Sequence, residues 1–435
     1  MSILRSFQEL LQNFSALMTR PTFESLTSIL SGWVFAVRRT VTGMIVAAGL
    51  LGTKHHSAFH RLFSQACWSL DQVGLVVLDL LTPFLGDTVY LALDDTLARK
   101  RGLKTFGVGM HHDPLSSSRK TKLFSWGHNW VVLGVLVRFP LWPQRWFCLP
   151  ILFRLYLNQK AAKRHRRVCW TRPQLAVELL NVVCNAHKSL HFHVVADTTY
   201  GCQTVLKNLP ANCDLTSRLG LDARLYDLPP APKPHQRGRP AVRGRRRPTP
   251  EKMLAGRGRR LVLSIYGRRD SVRVTQTTAA VFAVPGRLLR IVAVEPLKGG
   301  RERQAFYSTC LDSTPEGLLT TYAARWSIEV AFHESKQHLG FEDPQNWTRT
   351  AVERTAPWAM LLYSLIVAWF VRTGHSSYQA PERPWYRTKR DASFADMLTT
   401  LRLCSFQDYI SAIPLCDQDR NKLLEALKSA VIMAA

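Results

Sequence analysis

Apolar residues recur at helical spacing through the first 85 residues, where helix-compatible segments follow one another closely. The longest, residues 60–80, is amphipathic and contains Phe63, Trp68 and Leu70, so we expect one long helix there. A basic junction at Lys54-His55-His56 precedes it. The other helical segments are 7–18, 22–35 and 41–51. The pattern predicts an all-helical N-terminal module.

From residue 86 the pattern changes to short apolar runs of strand length. The run 89–95 predicts a first, central strand, and the runs 130–137 and 146–155 predict a hairpin with its turn at 140–143. A helix at 173–187 and a strand at 192–196 follow. Strands, helix and strand in this order favour a mixed sheet flanked by helices.

Residues 229–260 are rich in Pro, Gly and Arg and have too few apolar residues to fold alone. Strand-like runs then return, and the chain ends in further helices. The predicted strands are 261–266, 271–275, 289–294 and 305–310, and the predicted helices are 321–340, 352–372, 392–401 and 418–433.

One predicted helix, residues 321–340, carries an unusual polar stripe. At about 100° per residue, Tyr322, Arg325, Glu329 and Lys336 fall within roughly 60° of one another. A solvated helix would instead scatter its charges in pairs four residues apart. The stripe therefore indicates a functional face.

Two predicted strands end in Asp followed by Thr, in LALDDTL (residues 91–97) and VVADTTYG (residues 194–201). A carboxylate at the end of a buried strand is costly unless it is paired or binds a metal, although a single such Asp is often only a cap. Together with Glu329 these aspartates make a three-carboxylate set that suits hard divalent cations.

These motifs resemble those of a known family. The spacing Tyr322-x2-Arg325-x3-Glu329-x6-Lys336 resembles the Y-R-E-K signature of bacterial insertion-sequence transposases of the DDE class. The DDT and ADTTYG motifs and the flanking TYAARW and KQHLGFED extend the resemblance over roughly residues 86–347.

The resemblance implies a ribonuclease H-like α/β fold with a β-rich insertion before the catalytic Glu helix. The implied organisation is 1–85, a helical module that binds DNA ends; 86–228, the first part of the catalytic domain; 229–310, the basic linker and insertion; 311–350, the signature helix; and 351–435, a C-terminal helical region.

It also implies that Asp95, Asp197 and Glu329 are catalytic and hold two Mg²⁺ ions, with Mn²⁺ able to substitute. Two such ions about 4 Å apart would clamp the attacking and leaving oxygens of a phosphodiester. Asp94 is the alternative to Asp95. Side chains alternate between the two faces of a strand, but both faces of a central strand are covered, so this alternation does not show which of the two aspartates is the ligand. Glu334 is the alternative to Glu329.

The remaining signature residues would contact DNA. Arg325 and Lys336 would hold phosphates. Tyr322 would bind a phosphate or orient Glu329, or else simply pack. The stretch 127–130, Gly-His-Asn-Trp, reads as a turn before a strand that could also bring polar groups to the site.

Composition supports a polyanionic partner. The 435 residues have a formal net charge of +27 and a pI near 10.2, which indicates nucleic acid before membrane. The apolar run 357–371 is too short for a spanning helix and predicts a buried one. Nine scattered cysteines indicate neither a zinc site nor a disulfide framework, and no signal peptide is expected, so the protein is expected in the cytoplasm with the nucleoid.

The linker holds a candidate AT-hook, Arg237-Gly238-Arg239-Pro240, whose arginines would enter the minor groove of A·T-rich DNA. Arg245 and Arg246 would add phosphate contacts; the alternative is a flexible basic tether.

The sequence thus predicts a cut-and-paste transposase that binds double-stranded DNA, both the inverted-repeat ends and the target. We expect a dimer in the paired-end complex and no membrane association. The alternatives are an inactive or domesticated DNA-binding protein and a nuclease of the same fold without strand transfer.

Overall fold

Helices fill the first 85 residues, as the apolar spacing predicts. The structure is a computed structural model that describes residues 3–114, 116–118, 120–231, 240–265, 268–297, 302–380, 391–414 and 416–433. The N-terminal helices are α1 Arg5–Leu11, α2 Arg20–Phe35, α3 Val41–Ala47, α4 His56–Ser64 and α5 Leu70–Leu81, with 3-10 turns at Gln12–Leu17 and Thr82–Phe84.

The prediction of one helix over residues 60–80 is wrong. Helix α4 ends at Ser64, and α5 begins anew at Leu70. The Ser69 side chain accepts a hydrogen bond from the backbone N–H of Gln72 and so caps the second helix.

The central sheet is built around β1. Its strands and neighbouring helices are β1 Thr88–Arg99, β2 Gly109–His112, β3 Phe124–Phe139, β4 Trp142–Tyr156, α6 Gln159–Arg164, α7 Arg172–Ala186, β5 His191–Ala196, α8 Gln203–Lys207 and β6 Cys213–Leu219. The predicted hairpin is confirmed as β3–β4, with Phe139 paired to Trp142 across its turn. Strand β1 pairs antiparallel with β3 and parallel with β5, and β6 runs parallel to β5. This mixed order, β4-β3-β1-β5-β6, is compatible with a ribonuclease H-like fold.

The strand-rich insertion extends the same sheet. It comprises β7 Leu225–Tyr226, β8 Arg246–Arg247, α9 Pro250–Leu254, β9 Arg259–Ile265, β10 Arg268–Val281, β11 Val284–Pro296 and β12 Gln304–Ser308. Strand β12 pairs antiparallel with β6, so the sheet continues from β6 through β12, β11 and β10. Part of the segment 229–260, predicted as a basic linker unable to fold alone, forms β8 and α9, and β8 does so by pairing with β7.

Helices complete the chain after the insertion: α10 Pro315–Ala324, α11 Trp326–Leu339, α12 Arg349–Arg372, α13 Phe394–Ser411 and α14 Asp417–Met433, with a 3-10 turn at Gly374–Ser377. By length and composition alone α12 could cross a membrane, but 94% of its apolar window is buried inside the protein. The predicted buried helix is confirmed, and Trp358 and Trp369 are both fully enclosed.

The N-terminal and C-terminal helices share one core with the sheet. Trp33 Nε1 donates to the Leu339 carbonyl at 2.8 Å, which joins α2 to the end of α11. Ser364 Oγ of α12 donates to the Pro150 carbonyl of β4, also at 2.8 Å. Helices α5, α11 and α12 pack on β4, while α7 packs on β3 and β4. The domain limits at 85, 228, 310 and 350 remain predictions.

Gly74 brings the backbone of α5 close to strand β4. A Cβ at this position would lie 2.0 Å from the Ile151 carbonyl oxygen of β4. Gly74→Ala is therefore expected to destabilise the fold by about 2 kcal/mol, because backbone must move in a packed core. The measurement is the midpoint of urea unfolding. Gly86→Ala, whose Cβ would meet nothing within 4 Å, is the control and should change the free energy of unfolding by no more than about 0.5 kcal/mol. Equal effects of the two changes would show that the contact of Gly74 with the Ile151 carbonyl does not limit the size of the side chain.

Candidate active site

The aspartates of the two Asp-Thr motifs meet where β1 and β5 stop pairing. Leu93 and Ala196 are the last paired residues, and Asp94 and Asp197 follow them directly. Residues opposite each other on parallel strands point to the same face, so Asp94 lies on the face of Asp197 and Asp95 on the other. One expectation needs correction: β1 does not end at its aspartates but continues to Arg99, paired with β3.

Arg325 joins Asp94 to Glu329. Its Nη1 donates to Asp94 Oδ2, and its Nη2 donates to Glu329 Oε1 at 3.0 Å. The contact is largely shielded from solvent, since the side chains of Arg325 and Asp94 are 15% and 16% exposed and that of Glu329 is 35% exposed. The site thus links the first strand, through one guanidinium, to the helix that carries Glu329.

Asp94 is held in an unusual electrostatic setting. Burial raises the pKa of its carboxyl to about 7, with the charges of Asp95 and Asp197 adding to the effect and Arg325 opposing it. Asp94 Oδ1 also accepts the backbone N–H of Asp95 at 2.8 Å. Several carboxylates crowded in a shielded place need positive charge nearby.

Asp95 has a separate set of partners. Arg172 Nη1, at the start of α7, donates to its Oδ2 at 2.9 Å, and Asn129 Nδ2 of β3 donates to the same oxygen at 2.8 Å. The buried hydroxyl of Tyr200 donates to Oδ1 at 2.8 Å. Both oxygens of Asp95 are therefore engaged on the α7 face, away from Arg325 and Glu329.

Asp197 caps the turn that follows β5. Its Oδ1 accepts the backbone N–H of Thr199 at 2.9 Å, and its Oδ2 accepts the Thr199 hydroxyl at 3.1 Å. Asp197 therefore does two things: it caps the turn after β5, and it lies beside Asp94.

The predicted continuous helix over 321–340 is wrong at one residue. Helix α10 ends at Ala324 and α11 begins at Trp326, and Arg325 lies at the junction. Here the backbone hydrogen bonds join residues three apart, as in a 3-10 turn. The Arg325 N–H donates to the Tyr322 carbonyl, and the Ile328 N–H donates to the Arg325 carbonyl. Tyr322 therefore belongs to a different helix from Glu329 and Lys336.

Tyr322 and Lys336 have packed surroundings. The Tyr322 ring lies 4.7 Å from that of Phe306, and burial raises the pKa of its hydroxyl to about 12. Burial also lowers the pKa of the Lys336 amine, while Glu342 and Asp113 oppose the shift. Lys336 thus has acidic neighbours other than Asp94 and Glu329.

The predicted linker contacts are far from this site or outside the described residues. Arg245 and Arg246 are exposed near the last strand of the sheet, since Arg246 lies in β8, seven strands from β1 in the sheet order. Arg237 and Arg239 of the candidate AT-hook lie outside the described residues.

A basic surface leads to the Asp95 side of the site. It covers α6 and the segment up to Arg172, and its exposed cations are Lys160, Lys163, Arg164, Arg166 and Arg167. These cations precede Arg172, whose guanidinium contacts Asp95 of β1.

The donor set fits a hard divalent cation in its chemistry. Asp94, Asp197 and Glu329 offer only carboxylate oxygens, the ligands that Mg²⁺ prefers. Among the described residues, however, no three His, Cys, Asp or Glu side chains already stand close enough to hold a metal. Arg325 lies between two of the candidate ligands and pairs with both.

The sequence does not assign a role at the site to Arg172 or Tyr200, whereas the alternative that residues 127–130 bring polar groups to the site is confirmed by Asn129. The interpretation of residues 127–130 as a turn is wrong, because all four lie in β3 and Asn129 faces Asp95. Tyr200 stands within the ADTTYG motif, which was a usable signal. Arg172 is 77 positions from Asp95 and had no local signal.

Comparison with known families covers most of the chain. The sequence model of a family described as DDE superfamily endonuclease matches residues 13–273, more than half of the chain. A second, described as archaeal putative transposase ISC1217, matches residues 277–371. The first span contains Asp94, Asp95 and Asp197, and the second contains Arg325 and Glu329. No curated protein matches the chain.

Proposed function

The chain belongs to the DDE superfamily endonucleases, and from this premise we propose that it is a transposase that cuts DNA at the ends of its element and joins the freed 3′ ends to target DNA. The observation that carries the proposal is the contact of Asp94, Arg325 and Glu329 beside Asp197. It brings together acidic oxygens and a phosphate-binding guanidinium from three distant parts of the chain: Asp94 after the pairing in β1, Asp197 after β5, and Arg325 with Glu329.

The carboxylates of this proposal are Asp94, Asp197 and Glu329, with Asp95 as the residue that the resemblance assigns to the first position. We favour Asp94 because it shares the face of Asp197 and a guanidinium with Glu329. Asp95, held by Arg172, Asn129 and Tyr200, would fix the position and direction of β1 behind it.

DDE endonucleases act with divalent metal ions, and the donor set here suits Mg²⁺, with Mn²⁺ as a substitute and two ions per site. With these ions bound, the carboxylates would have beside them the positive charge that activates an attacking oxygen and stabilises a leaving one.

The protein's own residues would do the positioning. Arg325 would bind a phosphate of the cleaved strand through its two Nη groups once they leave the carboxylates. Tyr322, packed on Phe306, would set the start of the junction from which Arg325 extends. Lys336 would contact DNA further along α11, on the side of Glu342 and Asp113.

DNA binding would rest on charge spread over several surfaces. The formal net charge of +27 supplies the general attraction, and the exposed cations of α6 and its following segment lead up to Arg172, which contacts Asp95. Arg245 and Arg246 would add contacts at the far end of the sheet, and the AT-hook of Arg237 and Arg239 stays a prediction. The N-terminal helices, predicted to bind transposon ends, and the paired-end dimer are also proposals.

The experiment uses the purified full chain, Mg²⁺, a duplex that ends in the DNA flanking the coding region, and a supercoiled target plasmid. We expect nicks that leave 3′ hydroxyls at the element boundary, and products in which these ends are joined to the plasmid. Cleavage without joining would favour a nuclease of the same fold. Specific binding without cleavage would favour a domesticated DNA-binding protein, and either outcome overturns the proposal.

A further inference from the structure

The Arg325 guanidinium lies between carboxylates in the way that a bound metal cation would. It contacts carboxylates on two separate elements, Asp94 on β1 and Glu329 on α11, and its own position between α10 and α11 belongs to neither helix. Its Nε is buried and finds no hydrogen-bond acceptor among the described residues. The two carboxylates hold the Nη groups of the guanidinium, and the Tyr322 ring also lies beside it, with its centroid 5.9 Å from the Arg325 Cζ.

The carboxylates in turn depend on this guanidinium. Asp94 lies beside Asp95 and Asp197, and burial together with the charges of these two acids disfavours the charged form of Asp94. A buried carboxylate that loses its cationic partner is strongly destabilising. Arg325 thus supplies, in the protein without DNA, positive charge of the kind that a divalent ion would supply.

We propose that Arg325 and the divalent ion compete for Asp94 and Glu329, and that DNA, by drawing the Arg325 guanidinium onto a phosphate, tightens metal binding. The proposal rests on the proposed function and deepens it, because it describes how the site is kept charge-balanced and closed to metal until DNA arrives. Linkage requires the effect to be reciprocal, so metal must tighten DNA binding by the same factor.

The first arm of the test measures Mn²⁺ binding to the full chain by isothermal titration. Arg325→Gln is expected to bind Mn²⁺ about 10-fold more tightly than the wild type, within the usual range of coupling energies. Without metal the same variant should melt at a lower temperature than the wild type, and Mn²⁺ should raise its melting temperature by more.

A matched control is available in Arg349→Gln. Arg349 also pairs with a glutamate four residues later, Glu353 at 3.1 Å, but on α12 and without a second carboxylate from the sheet. Its substitution should leave the Mn²⁺ affinity unchanged. If Arg325→Gln folds poorly, Arg325→Lys serves instead, since a single ammonium does not reproduce the fork that spans both acids and Mn²⁺ should still bind more tightly than in the wild type.

The second arm measures the coupling to DNA by fluorescence anisotropy of a labelled short duplex. In the wild type, Mn²⁺ should tighten duplex binding about 10-fold, and the effect should be nearly lost in Arg325→Gln. Unchanged or weaker Mn²⁺ binding in both Arg325 variants would overturn the inference while leaving the transposase proposal intact. Absence of any Mn²⁺ binding in the wild type with DNA, together with metal-independent cleavage, would overturn the metal-dependent function itself.

Discussion

Asp94→Asn is expected to lower Mg²⁺-dependent cleavage of an element-end duplex by at least about 1,000-fold, equivalent to about 4 kcal/mol of transition-state stabilisation. The amide keeps the shape of the side chain but removes the charge that faces Asp197 and pairs with Arg325. Asp95→Asn keeps its shape in the same way but should cost no more than about 100-fold, the usual effect of a group that only orients a ligand. The measurement is a single-turnover cleavage rate on a labelled strand.

Binding of the same duplex is the control for this pair of variants. It should change little in either one, because affinity for DNA resides mainly in phosphate contacts elsewhere. A near-complete loss in Asp95→Asn with activity kept in Asp94→Asn would restore Asp95 as the first ligand. In that case Arg172, and not Arg325, would be the cation that has to move.

Glu329→Gln is expected to abolish cleavage to a similar degree, again by about 1,000-fold or more, and Asp197→Asn should do the same. Glu329 is the only carboxylate of the proposed set on α11. Its loss would remove the acidic group that α11 contributes to the site. The assay is again single-turnover cleavage in Mg²⁺, with duplex affinity measured in parallel.

Glu334→Gln provides the comparison on the same helix. Glu334 lies five residues beyond Glu329 and pairs with His338 at 3.3 Å instead of with Arg325. Its substitution should leave cleavage within a few-fold of the wild type, as expected for a residue outside the site. Full activity in Glu329→Gln would remove the basis for the proposed function.

The sequence by itself determined most of the elements and the chemistry of the site. Periodicity is a local property, so α2, α7, α12, the β3–β4 hairpin and the insertion strands follow from the order of apolar and polar residues. The acids of the two Asp-Thr motifs and the polar face around Glu329 were recognisable for the same reason, because each is a short-range pattern.

The sequence predicted helix ends less well where apolar spacing continued past the point at which a helix stops. The apolar spacing continues through residues 60–80 and 321–340, but the cap at Ser69 and the tightened turn at Arg325 each divide a predicted helix in two. Such interruptions depend on single hydrogen bonds that periodicity does not encode.

Only the tertiary structure decided which aspartate faces Glu329 and what holds the other. Strand β1 is covered on both faces, so an alternation of apolar and polar side chains along it does not show which face carries the site. The choice depends on contacts between residues far apart in the chain, namely Arg325 with Asp94, and Arg172 and Tyr200 with Asp95. The joining of β12 to β6 is equally non-local, because pairing at the edge of a sheet depends on which strands the fold brings together.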